Sequence, residues 1–66
     1  KTVIAFAIAL ELTLDEAVDL MRKAGFAFSR SYKFDVIICY FIENREFNIF
    51  EINEVLFIYG QPILGE

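Results

Sequence analysis

Sixty-six residues make one domain at most, and a chain this short buries only about 60% of the surface its unfolded form exposes, so its core must be efficient. The composition is 58% hydrophobic with 8 Phe and 3 Tyr, richer than the roughly 45–50% apolar share of an ordinary soluble domain, which argues against disorder and for apolar surface that faces a neighbour. With 6 basic against 10 acidic side chains the net charge is -4, so the summed field repels phosphate and disfavours direct nucleic-acid binding.

The first element runs from Thr2 to about Leu10. Its alanines favour helix, while Val3, Ile4, Phe6 and Ile8 also suit a strand, and periodicity does not settle so short a run. Helix is the reading taken, because alternating alanines let a second helix approach closely. At eight residues, the stretch Val3 to Leu10 is the longest uninterrupted apolar run, far short of the roughly 20 residues that span a bilayer. After Lys1 it has the look of a short signal-peptide core, but Glu11-Leu12-Thr13 replaces the small-residue cleavage pattern. No membrane partner is expected, and an opening Lys in place of Met suggests a piece of a longer protein.

The second element opens on Thr13-Leu14-Asp15-Glu16, a capping box in which the Thr13 hydroxyl takes the N3 amide and Glu16 reaches back to the Thr13 amide. Leu14, Ala17, Val18 and Met21 form an apolar stripe. Arg22 and Lys23 sit in the last turn beside the negative helix end, and Gly25 is the left-handed stop.

The third element is predicted from about Tyr32 to Glu43, with Ser31 as N-cap and Phe34, Ile37, Ile38 and Phe41 as its inner face. Val36, Cys39, Tyr40 and Ile42 widen that face, as expected of a helix that is central or also packs on a partner; so many β-branched residues keep a strand as the rival. The fourth element starts at the Asn48 cap with Glu51 at N3, carries Ile49, Ile52, Leu56 and Tyr59 as its stripe, and ends at Gly60 and Pro62. Leu64 of the short tail Ile63-Leu64-Gly65-Glu66 is expected to tuck into the core. Together these read as a single all-α domain over 1–66, a compact bundle of about four to five short helices.

No constellation of residues dictates a reaction. The absence of histidine removes the commonest general base and zinc ligand, and one cysteine makes neither a structural zinc site nor an internal disulfide, so no cofactor or metal is expected and a reducing, cytoplasmic setting fits. Cys39, set among Ile, Val and aromatic residues, reads as a buried core thiol and not a nucleophile. The pairs Glu51 with Glu54 and Asp15 with Asp19 read as caps and solvated faces before general acid–base pairs. Asn53 interrupts the inner face of the fourth element and is expected to bond a loop backbone, with ligand contact the lesser alternative. Arg30 and Lys33, with Ser29, Ser31 and Tyr32, form the one locally basic loop; a solvated capping loop is favoured over an anion site.

The aromatic residues exceed what a tiny core encloses. Phe28, Tyr32, Tyr40, Phe47, Phe50 and Phe57 are the candidate partner surface, for self-pairing or for docking on another domain of the same chain.

The run from Thr2 to Ala17, Thr-Val-Ile-Ala-Phe-Ala-Ile-Ala-Leu-Glu-Leu-Thr-Leu-Asp-Glu-Ala, resembles the closing part of phage-repressor-type (XRE family) helix-turn-helix domains. There an apolar helix ending in leucine precedes a Ser/Thr-Leu-Asp/Glu-Glu start of the last helix. The resemblance implies that residues 1–25 follow a recognition helix lying upstream of Lys1, and that nucleic acid would be met only through those upstream residues. Residues 29–65 supply additional helices outside the family pattern. They are similar to segments appended to repressor-like regions in bacterial proteins, some joined to ADP-ribose-processing macro domains. The expected function is a non-enzymatic interaction or dimerisation module of a transcriptional-regulator-like protein; the alternative is an accessory domain of an ADP-ribose-processing enzyme.

Overall fold

The computed structural model describes residues 2–64; Lys1, Gly65 and Glu66 lie outside the described residues. Four helices follow one another, α1 Thr2–Ala9, α2 Leu14–Lys23, α3 Lys33–Glu43 and α4 Ile49–Ile58, and the described residues contain no strand. The chain is all-α. Helix α1 packs on α2 and α3 on α4, and the two hairpins meet where α2 adjoins α3.

Each hairpin contributes to one core. Ile4, Ala7 and Ile8 of α1 and Ala17 and Met21 of α2 meet Ile37, Ile38, Phe41 and Ile42 of α3, Ile52 and Leu56 of α4, and Leu64 of the tail. Ala7 and Ala17 are completely enclosed, so at these two positions the alanines bring the first two helices into close approach. Ile38 and Ile52 are likewise fully buried, and shortening either to Ala costs about 2–5 kcal/mol by lost transfer energy and the cavity left behind. For so small a domain that is a large part of its stability.

The helix starts follow the capping logic in two cases out of three. Thr13 Oγ1 accepts from the Glu16 N–H at 3.2 Å while the Thr13 N–H donates to Glu16 Oε1 at 2.9 Å, closing the capping box of α2. Asn48 Oδ1 accepts from the N–H of Phe50 at 2.9 Å and of Glu51 at 3.4 Å. The third start differs from expectation. Ser31 does not cap α3; the N-cap position falls to Tyr32, which has no side-chain capping bond. The reason is local competition. The Ser31 N–H donates to Ser29 Oγ, and the carboxylate of Asp35, three residues into the helix, accepts from the Ser29 N–H at 2.8 Å, so the loop is folded onto Ser29 and not onto Ser31.

All four helices end alike. In α1 the Glu11 N–H donates to the Ile8 carbonyl and the Leu12 N–H to the Ala7 carbonyl; the same pair of bonds recurs after α2, α3 and α4. This is the Schellman reversal, which needs a left-handed residue just past the helix cap. Gly25 (φ +87) and Gly60 (φ +70) fill that position after α2 and α4, whereas Glu11 (φ 53) and Arg45 (φ 55) fill it after α1 and α3.

Other expectations are met or corrected residue by residue. Asn53 is half-buried and bonds a loop backbone: its Nδ2 donates to the Leu64 carbonyl at 3.1 Å and its Oδ1 accepts from the Leu64 N–H at 2.7 Å. Leu64 is thereby seated in the core. Tyr59 does not continue the inner stripe of α4. It follows the last helical residue and lies exposed, with Lys33 Nζ 5.3 Å from its ring centre. Val18 of the α2 stripe and Val36 and Tyr40 of the widened α3 face are also exposed, leaving Ile42 as the member of that widening set that joins the core. Cys39 is half-buried and not enclosed.

Candidate functional site

The structure sorts the six candidate surface aromatics into two groups. Phe28 and Phe47 are partly buried against the core, and Phe47 lies beneath the Arg45 guanidinium, 4.7 Å from the ring centre. Tyr32, Tyr40, Phe50 and Phe57 are exposed, at 67%, 58%, 82% and 77%. Further exposed apolar residues join them: Phe6 on α1, Leu10 in the turn after it, Phe26 in the loop after α2, Val36 on α3, and Ile58 at the end of α4. Val36 belongs to the widened α3 face that the sequence points to; Phe6, Leu10, Phe26 and Ile58 are not singled out by sequence, because the inward and outward sides of such apolar helices carry nearly the same residues. Only packing decides which side is covered.

Two outward faces result. On α3, Lys33, Val36, Tyr40 and Glu43 project into solvent along one side, with Val36 and Tyr40 as a ridge between two apolar grooves. The groove toward α2 is floored by Leu14, Val18, Phe28 and Cys39, with Arg30, Asp35 and Glu43 at its margin. The groove toward α4 runs between Ile37 and Phe41 on one wall and Val55 and Tyr59 on the other, with Lys33 at its end. The second face belongs to α4, where Phe50, Phe57 and Ile58 lie among Glu51 and Glu54, all exposed.

The electrostatics of the two faces differ. Ion pairs among the described residues gather at Asp19 of α2, which holds Arg22 at 2.6 Å and Lys23 at 3.1 Å; these hydrogen bonds lower its carboxyl below the usual range. The α3 face carries both signs, Lys33 at its start and Glu43 at its end. The α4 face is acidic alone, since that helix has no basic residue. At the Arg30–Lys33 loop the Asp35 carboxylate accepts from the Ser29 N–H, and Lys33 lies over the Tyr59 ring.

Cys39 faces the α2–α3 groove. Burial first, then the carboxylates of Asp35 and Glu43, push its thiol up, with Arg30 in partial opposition, which is the reverse of what a thiolate nucleophile requires. No group of three or more His, Cys, Asp or Glu side chains is placed to hold a metal ion among the described residues, and no described helix is long and apolar enough to cross a membrane. Comparison of the chain with protein-family models, with curated proteins and with solved structures finds no match.

Proposed function

We propose that the chain is a non-enzymatic helical module that pairs with a second copy of itself through α3, the task of a dimerising segment beside a repressor-type helix-turn-helix region. The observation that carries this is the register of the exposed α3 face. Lys33 and Val36 stand as far before Ile38 as Glu43 and Tyr40 stand after it. An antiparallel, two-fold pairing of α3 centred near Ile38 therefore sets Val36 opposite the partner's Tyr40 and Lys33 opposite the partner's Glu43, twice over. A face that is its own complement in both shape and charge is what an isologous interface needs. The ridge between two grooves adds the shape element, since each copy's Tyr40 has an apolar groove to enter.

The regulator setting is supported by the Thr2–Ala17 resemblance and by the α1–α2 hairpin with its capping box, while the net charge of -4 disfavours direct nucleic-acid contact by these residues. Sedimentation across a dilution series, at low salt, tests the pairing. Wild-type protein is expected to gain mass with concentration, Lys33→Glu and Glu43→Lys each to weaken association about tenfold or more by opposing like charges at two symmetric places, and the double swap to recover it. A strictly monomeric wild type, or a double swap no better than either single variant, overturns the reading.

A further inference from the structure

The α4 face obeys a different charge rule from the α3 face, and it points elsewhere. At roughly 100° per residue, Phe50 and Phe57 lie about 140° or more around α4 from Val55 and Tyr59, which wall the groove beside α3. Pairing through α3 thus leaves Phe50 and Phe57 uncovered. They are among the most exposed apolar side chains of the molecule, at 82% and 77%.

A second copy does not fit this face. Glu54 occupies its centre, with Phe50 one turn before and Phe57 and Ile58 one turn after. If two α4 helices meet antiparallel with Phe50 against the partner's Phe57, both Glu54 carboxylates fall beside the two-fold axis; if they meet parallel and in register, the two Glu54 side chains face each other directly. Helix α4 itself supplies no cation in either arrangement, because it carries no Lys or Arg. Carboxylates brought together at the dry centre of an interface without partners are strongly disfavoured. The anionic surface of a lipid bilayer is repelled for the same reason.

We infer that the outer face of α4 binds a cationic amphipathic helix of another protein, one whose apolar residues cover Phe50, Phe57 and Ile58 while a Lys or Arg within that stripe meets the central Glu54 and another beside it meets Glu51. Helix α4 has ten residues and is about 15 Å long, which matches three turns of such a partner. Apolar anchors at i, i+3 or i+4, and i+7 on the partner are the pattern that lays a helix along such a face. Binding energy comes from the two phenylalanines, and the carboxylates select the sign of the partner's charge.

The test uses three synthetic helical peptides of equal length: a leucine stripe with one lysine at its centre and lysines flanking it, the same stripe with glutamates in place of those lysines, and an isomer of the first with its leucines scattered around the helix. Affinity is read by fluorescence anisotropy and the contact surface by amide chemical shifts. The lysine-flanked stripe is expected to bind about tenfold or more tighter than either other peptide, Phe50→Ser and Phe57→Ser each to weaken it about tenfold, and Glu51→Lys/Glu54→Lys to turn the preference toward the glutamate-flanked peptide. Equal affinity for the scattered isomer, indifference to the phenylalanine variants, shifts confined to α3, or binding of wild-type protein to anionic vesicles in place of the peptide would each overturn it. Because Phe50 and Phe57 are exposed, their variants keep the fold, which circular dichroism verifies. The outcome is independent of pairing through α3, since sedimentation of the Phe50 and Phe57 variants should match wild type.

Discussion

Arg45 and Glu11 occupy equivalent places in the two hairpins, each the left-handed residue that ends its first helix, and the Arg45 guanidinium donates to the Glu11 carbonyl at 2.9 Å. The same fork reaches the Leu12 carbonyl at 3.0 Å and lies over the Phe47 ring. One side chain thus joins the α1–α2 turn to the α3–α4 turn.

That relationship predicts opposite outcomes for the same substitution at two like positions. Glu11→Gly relieves a left-handed strain of about 1–2 kcal/mol and gives back about 0.4–1 kcal/mol through the freer unfolded chain, so it should stabilise the protein by about 0.5–1 kcal/mol. Arg45→Gly gains the same relief but loses two charge-assisted bonds and the ring contact, for a net loss of about 1 kcal/mol or more. Urea unfolding of the two variants measures the difference, and equal signs would show that the guanidinium fork contributes nothing.

The Asn53–Leu64 pair makes a second test. Asn53→Ala leaves the Leu64 N–H and carbonyl without their partner and loosens the seat of a core leucine, at about 1–3 kcal/mol; Leu64→Ala costs about 2–5 kcal/mol. Since both changes release the same tail, the double variant should cost less than the sum. Hydrogen exchange at the Leu64 amide should accelerate in Asn53→Ala well before global unfolding.

A pair of alanine substitutions separates a working cap from a nominal one. Thr13→Ala should cost about 1 kcal/mol, the usual loss for an N-cap hydroxyl in a closed box. Ser31→Ala should change stability by less than about 0.5 kcal/mol, because the Ser31 hydroxyl caps nothing. Thermal melts of the two proteins suffice for the comparison.

The Cys39 thiol sets a pH dependence on the alkaline side. Its proton is held more tightly in the fold than in the unfolded chain, chiefly through burial and secondarily through Asp35 and Glu43. As pH rises past the ordinary thiol value of about 8.5 the unfolded chain ionises first, so stability falls with increasing pH there; below that value nothing is lost. Unfolding curves at mildly alkaline pH should show a decline that Cys39→Ala lessens, and iodoacetamide should modify folded Cys39 more slowly than Cys39 in urea.

Most of the fold is written locally. Thr13 with Glu16, and Asn48 before Ile49, mark two helix starts because a side-chain oxygen at that spacing has few other uses; Gly25 and Gly60 mark two stops because glycine alone enters the left-handed region freely. The α3 start was harder to place, since three candidate oxygens, on Ser29, Ser31 and Asp35, compete within seven residues and the winner depends on the folded loop. Glu11 and Arg45 gave no warning of their left-handed role, which packing imposes against their preference. The surplus of aromatics is evident from composition, but its division into a partly buried Phe47 and an open Phe50 requires knowing which side of each helix the other hairpin covers.

Every helix reversal here is closed by bonds that reach back five residues at most, whereas the Arg45 fork spans more than thirty positions of chain. The order of assembly follows from that contrast: each hairpin can take shape from its own neighbourhood, and the fork closes only after both exist. Loss of Arg45 should then quicken the opening of the finished molecule while leaving the rate of its formation nearly unchanged.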